Sequence, residues 1–170
     1  TKYIETVDDL ANMMIYGGID ANLNYGGYFV MTNNIEVNGV LANRVSGVNY
    51  TDGTPSVPAM NKGFTGIFDG QGYTISGVVV GKQSGAIFGN VASSGVVKNV
   101  AIIATMTQVN ENTQVVVLAN EFSGALTNAY IEVDFAAGSG AAWYSPVAGQ
   151  STGSKFTDVV IKLDSRAQNG

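Results

Sequence analysis

The sequence predicts an all-β chain wound as a parallel β-helix, a β-solenoid closed at its N-terminus by a short helical cap. Three observations predict it: a composition biased to strands and turns, two series of segments recurring at one period, and an inside–outside alternation within them. The 170 residues include 22 Gly, 22 Val and 16 Asn. Val favours pleated, packed surfaces, while Gly and Asn supply turns and left-handed backbone positions. Asn99 to Asn128 spans 29 residues and Asn128 to Asp158 spans 30, and Ile102, Ile131 and Ile161 show the same two intervals. A parallel series aligns Ile87-Phe88-Gly89-Asn90, Val117-Leu118-Ala119-Asn120 and Pro146-Val147-Ala148-Gly149 at intervals of 30 and 29. A repeat of that size is one supersecondary unit that buries its apolar face only by stacking on its neighbours.

Composition also excludes a good deal. There is no Cys and no His, so disulfides, thiolate metal sites, imidazole bases and the usual zinc sites are ruled out. With 8 basic and 13 acidic residues the net charge is −5, which lacks the basic footprint of a nucleic-acid binder. No apolar run is long enough to span a membrane. No basic start followed by an apolar stretch marks a signal peptide. Thr1 fits either a processed or excised piece, or a complete chain that has lost its initiator Met.

The elements follow in order. Thr6-Val7-Asp8-Asp9 looks like an N-cap with acidic residues in the first turn. Leu10, Met13 and Met14 recur at helical spacing, and Gly17-Gly18 stops the helix. Tyr28-Phe29-Val30-Met31 is a β run that Asn33-Asn34-Ile35-Glu36-Val37 continues. Residues 38–63, with Pro55 and Pro58, form the longest irregular stretch, the kind of loop that often carries function. From residue 64 the repeats take over. Ile102, Ile131, Ile161, Val133 and Leu163 are expected to point inward, and Glu132, Asp134, Lys162 and Asp164 outward. Asn99, Asn128 and Asp158 should stack as a structural ladder along the axis and tolerate the corner conformation between strands. The whole of 1–170 reads as one domain: cap and lead-in over 1–27, first strands and long loop over 28–63, stacked coils over 64–170.

Residues 28–102 resemble the GLUG-type β-helix proteins. Tyr28-Phe29-Val30-Met31-Thr32-Asn33-Asn34-Ile35 is similar to the opening of that pattern. Phe64-Thr65-Gly66-Ile67-Phe68-Asp69-Gly70-Gln71-Gly72-Tyr73-Thr74-Ile75 resembles its F-x-G-x-F-D-G-x-G-H-x-I segment. Gly85-Ala86-Ile87-Phe88-Gly89 resembles G-L-F-G, and Lys98-Asn99-Val100 its k-N-l. The chain departs from it at Tyr73, where the family has His, and at Ala86, where it has Leu. The resemblance implies a right-handed parallel β-helix on a phage particle, a bacterial surface or in the extracellular space, serving adhesion, spacing or display. Some relatives by fold cleave polysaccharides.

Candidate chemistry is sparse. Asp69-Gly70-Gln71-Gly72 lacks the spread of oxygen ligands of a calcium loop and reads as a turn. Glu132 and Asp134 share a strand face, with Lys162 and Asp164 expected beside them in the next coil. That face reads as solvated. Its other readings are a metal site at Asp134 and Asp164, for which Ca2+ is the candidate ion, and a glycosidic acid–base pair. No other cofactor is expected. Trp143, Tyr144 and Tyr130 are candidates for stacking on sugars, for contact with a protein or for packing. Arg44 and Arg166 lie outside the repeats. The C-terminal residues 165–170 are polar and carry no obvious cap. The tail folds over, the chain continues, or a partner protein or further copies cover the solenoid end. The expectation is a non-enzymatic structural or display module, and the alternative is a polysaccharide-binding or polysaccharide-cleaving protein.

Overall fold

The computed structural model describes residues 1–10, 26–37, 49–51, 54–56, 64–80, 87–106, 114–136 and 143–166. Met13, Met14, Gly17, Gly18, Arg44, Gly85, Ala86, residues 138–142 and residues 167–170 lie outside them, as does most of the stretch 38–63. In chain order the strands are β1 (Lys2–Ile4), β2 (Tyr28–Met31), β3 (Ile35–Glu36), β4 (Asn49–Thr51), β5 (Thr54–Ser56), β6 (Ile67–Asp69), β7 (Thr74–Val80) and β8 (Phe88–Val91). They continue as β9 (Val96–Met106), β10 (Gln114–Val116), β11 (Ala119–Phe122), β12 (Ala125–Ala136), β13 (Trp143–Ser145), β14 (Ala148–Ser151) and β15 (Lys155–Arg166).

The strands stack as a parallel β-solenoid. The main sheet runs β1-β2-β6-β9-β12-β15, with β3 and β7 alongside, and all its pairings are parallel. A second sheet is β8-β11-β14 and a third is β10-β13. One column of the main sheet passes through Lys2, Phe29, Phe68, Val97, Leu126 and Phe156, so successive coils are 27, 39, 29, 29 and 30 residues long. Stacking therefore begins at β1 rather than at residue 64. The 39-residue coil contains the stretch read as irregular from sequence. Among its described residues is an antiparallel hairpin, β4 with β5.

The Ile register falls where the repeat predicts, Ile75 on Ile102 on Ile131 on Ile161. The second series differs by one residue. Phe88 pairs with Ala119, an interval of 31, and Ala119 with Ala148, an interval of 29. The corner ahead of the long strand absorbs the difference: 92–95 has four residues, 123–124 has two and 152–154 has three.

Inward side chains form one core. Phe68, Ile75, Ile102, Leu126, Ile131 and Val133 are among its fully covered members. Phe64 links Phe29 and Phe88, with ring centroids 5.8 and 5.2 Å apart, and Phe68 meets Phe88 edge-on at 5.6 Å. These offset geometries suit aromatic quadrupoles. At the N-terminal end a helical turn at 7–10 is capped reciprocally. The Asp9 amide donates to Thr6 Oγ1 at 3.2 Å, and the Thr6 amide and hydroxyl donate to Asp9 Oδ2 at 2.9 and 2.8 Å. The turn carries Leu10, fully buried, into the core.

Candidate functional site

Long strands β9, β12 and β15 each contain one residue with left-handed backbone: Asn99 (φ 53°), Asn128 (φ 49°) and Asp158 (φ 52°). Each makes a corner that an ordinary side chain adopts at a cost of about 1–2 kcal/mol and that Asn or Asp tolerates. The Asn128 amide donates to Asn99 Oδ1 at 2.9 Å, and the Asn99 amide donates to Asp69 Oδ1 at 3.0 Å. The ladder thus reaches one coil further down than the sequence series, to a residue 30 positions before Asn99.

Asp69 is the one buried charged residue among those described, at 2% exposure. Besides Asn99, its carboxylate accepts from Tyr28 Oη at 2.7 Å and the Gln71 amide at 3.1 Å, and it pairs with Lys98 Nζ at 3.2 Å. Burial alone would raise its pKa. The hydrogen bonds from Tyr28, Asn99, Gln71 and Lys98 outweigh burial and hold the carboxyl far below the usual range. The bond to Asp69 in turn pushes the Tyr28 hydroxyl up. Residues 70–73 close a tight turn. The Tyr73 amide donates to the Gly70 carbonyl at 2.8 Å, across Gln71 (φ 53°) and Gly72 (φ 84°). This cluster is a clasp between coils: Oδ1 accepts from Gln71 and Asn99, and Oδ2 is held by Tyr28 and Lys98.

The outer face of β12 and β15 carries the acidic group. Glu132 stands beside Lys162 and Asp134 beside Asp164 in register. Tyr130 Oη donates to Glu132 Oε2 at 2.7 Å, Lys162 Nζ donates to Glu132 Oε1 at 3.1 Å, and Lys162 also lies 3.5 Å from Asp164 Oδ2. The bond from Tyr130, then that from Lys162, lowers the Glu132 pKa. Lys162 is raised by its bond to Glu132 and by the Asp164 charge. A general acid needs a raised carboxyl pKa, and Glu132 is moved the other way. The ammonium that balances these carboxylates comes from the chain itself. Among the described residues no group of three or more metal-ligating side chains converges.

The aromatic candidates are not brought together. Tyr130 is half-buried on the outer face and committed to Glu132. Trp143 is 61% exposed on β13, whereas Tyr144, the next residue, packs on Phe135 with centroids 5.4 Å apart. Adjacent strand residues take opposite faces, so this pair does not form one platform.

The last coil shows what sequence reasoning missed. Ile131 and Val133 are fully buried, but Ile161 and Leu163, their partners in β15, are 44% and 54% exposed. Phe156 is 49% exposed although Leu126 beneath it is fully buried. The rows that are core from β2 through β12 lie open here. The repeat itself was the signal: among the described residues no later strand stacks on β15. Comparison of the chain with family models, curated proteins and solved structures returned no match.

Proposed function

We propose that the chain is a non-enzymatic structural module for attachment, decoration or display, and that its last coil joins it to a neighbouring protein. The observation that carries this reading is the open inward row at Phe156, Ile161 and Leu163 on a twelve-residue edge strand. Exposed strand edges pair with other chains unless they are blocked, and exposed apolar rows mark interaction sites. The outer acidic face supports the same reading, because its carboxylate Glu132 is held ionised by Tyr130 and Lys162. A place on a phage particle or a bacterial surface rests on the resemblance of residues 28–102 to GLUG-type proteins alone.

The test is a panel of bacterial and plant polysaccharides incubated with the purified chain, with and without calcium. No release of new chain ends is expected in any well. Release that disappears in Glu132→Gln or Asp134→Asn would overturn the reading and make the outer face an active site. A carbohydrate-binding reading has one observation of its own, the exposed Trp143. It requires binding without cleavage that Trp143→Ala removes.

A further inference from the structure

We propose that the open coil is completed by a second copy of this chain, docked tail to tail, with β15 pairing antiparallel to its twin and Leu163 facing the partner's Leu163. This deepens the structural reading above by naming the partner. Among the described residues β15 ends its sheet, with β12 on one side and no strand on the other. Among the described residues the opposite end of the solenoid offers no matching strand. There β1 has three residues, Leu10 is fully buried in the core, and Tyr3 is the large apolar side chain exposed. Head-to-tail stacking would set a twelve-residue strand on a three-residue one and leave most of the apolar row bare. A strand of equal length with an equally open row is found on a second β15, and a self-complementary patch closes as a two-fold dimer.

Charge and strand overlap together select the register. Beyond the Asp158 corner, residues 159–166 form one arm, with Ile161 and Leu163 inward and Val160, Lys162 and Asp164 outward. A two-fold pairing that keeps inward residues opposite inward ones must centre on a single residue. Centred on Lys162 or Asp164, it sets a charge against its own copy. Centred on Ile161, it sets Asp158 against the partner's Asp164. Centred on Val160 it sets Lys162 against the partner's Asp158, but there, as at residue 165, only about three residues of the arm pair; centred on Leu163, about seven pair, each Lys162 lies opposite the partner's Asp164, twice, and the two Leu163 side chains meet. Opposite charges across a pair stabilise it and like charges destabilise it.

Sedimentation velocity over a range of concentrations tests this with two variants. Lys162→Glu places two carboxylates opposite each other at both pairs, and Asp164→Lys places two ammonium groups there. Each alone is expected to weaken self-association roughly tenfold. An equimolar mixture restores two opposite-charge pairs and should dimerise like the wild type. Circular dichroism confirms that each variant is folded, and the mixture's recovery excludes damage to either chain. The proposal is overturned by a wild type that stays monomeric, by open-ended polymers, by single variants that dimerise normally, or by a mixture that stays apart. Released sugar ends in the polysaccharide panel would reject the structural reading whatever sedimentation shows. A monomer silent on every glycan would reject only the dimer.

Discussion

Asp69 concentrates the residue-scale energetics. It receives hydrogen bonds from Tyr28 in the coil below, from Gln71 in its own and from Asn99 in the coil above, and it pairs with Lys98. Asp69→Ala leaves the Tyr28 hydroxyl and the Asn99 and Gln71 amides without their acceptor, and should cost about 2–3 kcal/mol in urea unfolding. Asn99→Ala loses a bond up, a bond down and a side chain suited to its corner. It should cost about 2 kcal/mol, while Asn99→Gly, free of the corner penalty, should lose less. The pH dependence follows from the depressed Asp69 pKa. A carboxyl lowered on folding adds stability that is present above its unfolded pKa of about 4 and is lost as pH falls towards its folded value. Urea midpoints should therefore drop as pH falls below about 4, and drop less in Asp69→Ala. The Asn ladder was legible, since Asn99 and Asn128 share a period. Asp69 was read only as a turn residue because it sits in Asp-Gly-Gln-Gly, although extending the ladder by one further 30-residue step reaches it.

At the scale of elements, stacking is governed by close backbone approach at the corners. A Cβ at Gly124 would lie 2.1 Å from the Gly95 carbonyl oxygen, backbone that cannot move aside. Gly124→Ala should destabilise the chain by about 1–3 kcal/mol, measured by thermal unfolding, and should loosen β12 against β9. The alternation of the long strands was legible, because Ile102, Ile131 and Val133 face in while Glu132 and Asp134 face out, as period two requires. The second series was misaligned by one residue at its first interval and right at its second, for a physical reason: corner length varies from two to four residues, so similar side chains need not share a rung. The candidate aromatics could not be sorted from sequence. Trp143 and Tyr144 are neighbours in the chain yet take opposite faces, and only the packing of Tyr144 on Phe135 fixes which one turns inward.

For the whole molecule, the two ends of the solenoid differ. Among the described residues a capped helical turn at the N-terminal end carries Leu10 into the core, while the C-terminal coil leaves Phe156, Ile161 and Leu163 exposed. A stack of repeats draws its stability from neighbour contacts, so β15, which among the described residues is paired on one side, should be the first to open. Amide hydrogen exchange, followed strand by strand at rising protein concentration, reads it most directly. The account predicts that β9 and β12 exchange slowly throughout, while β15 exchanges fast in dilute protein and slows as copies associate. A β15 as protected as β12 at the lowest concentration, or unprotected at the highest, would contradict it.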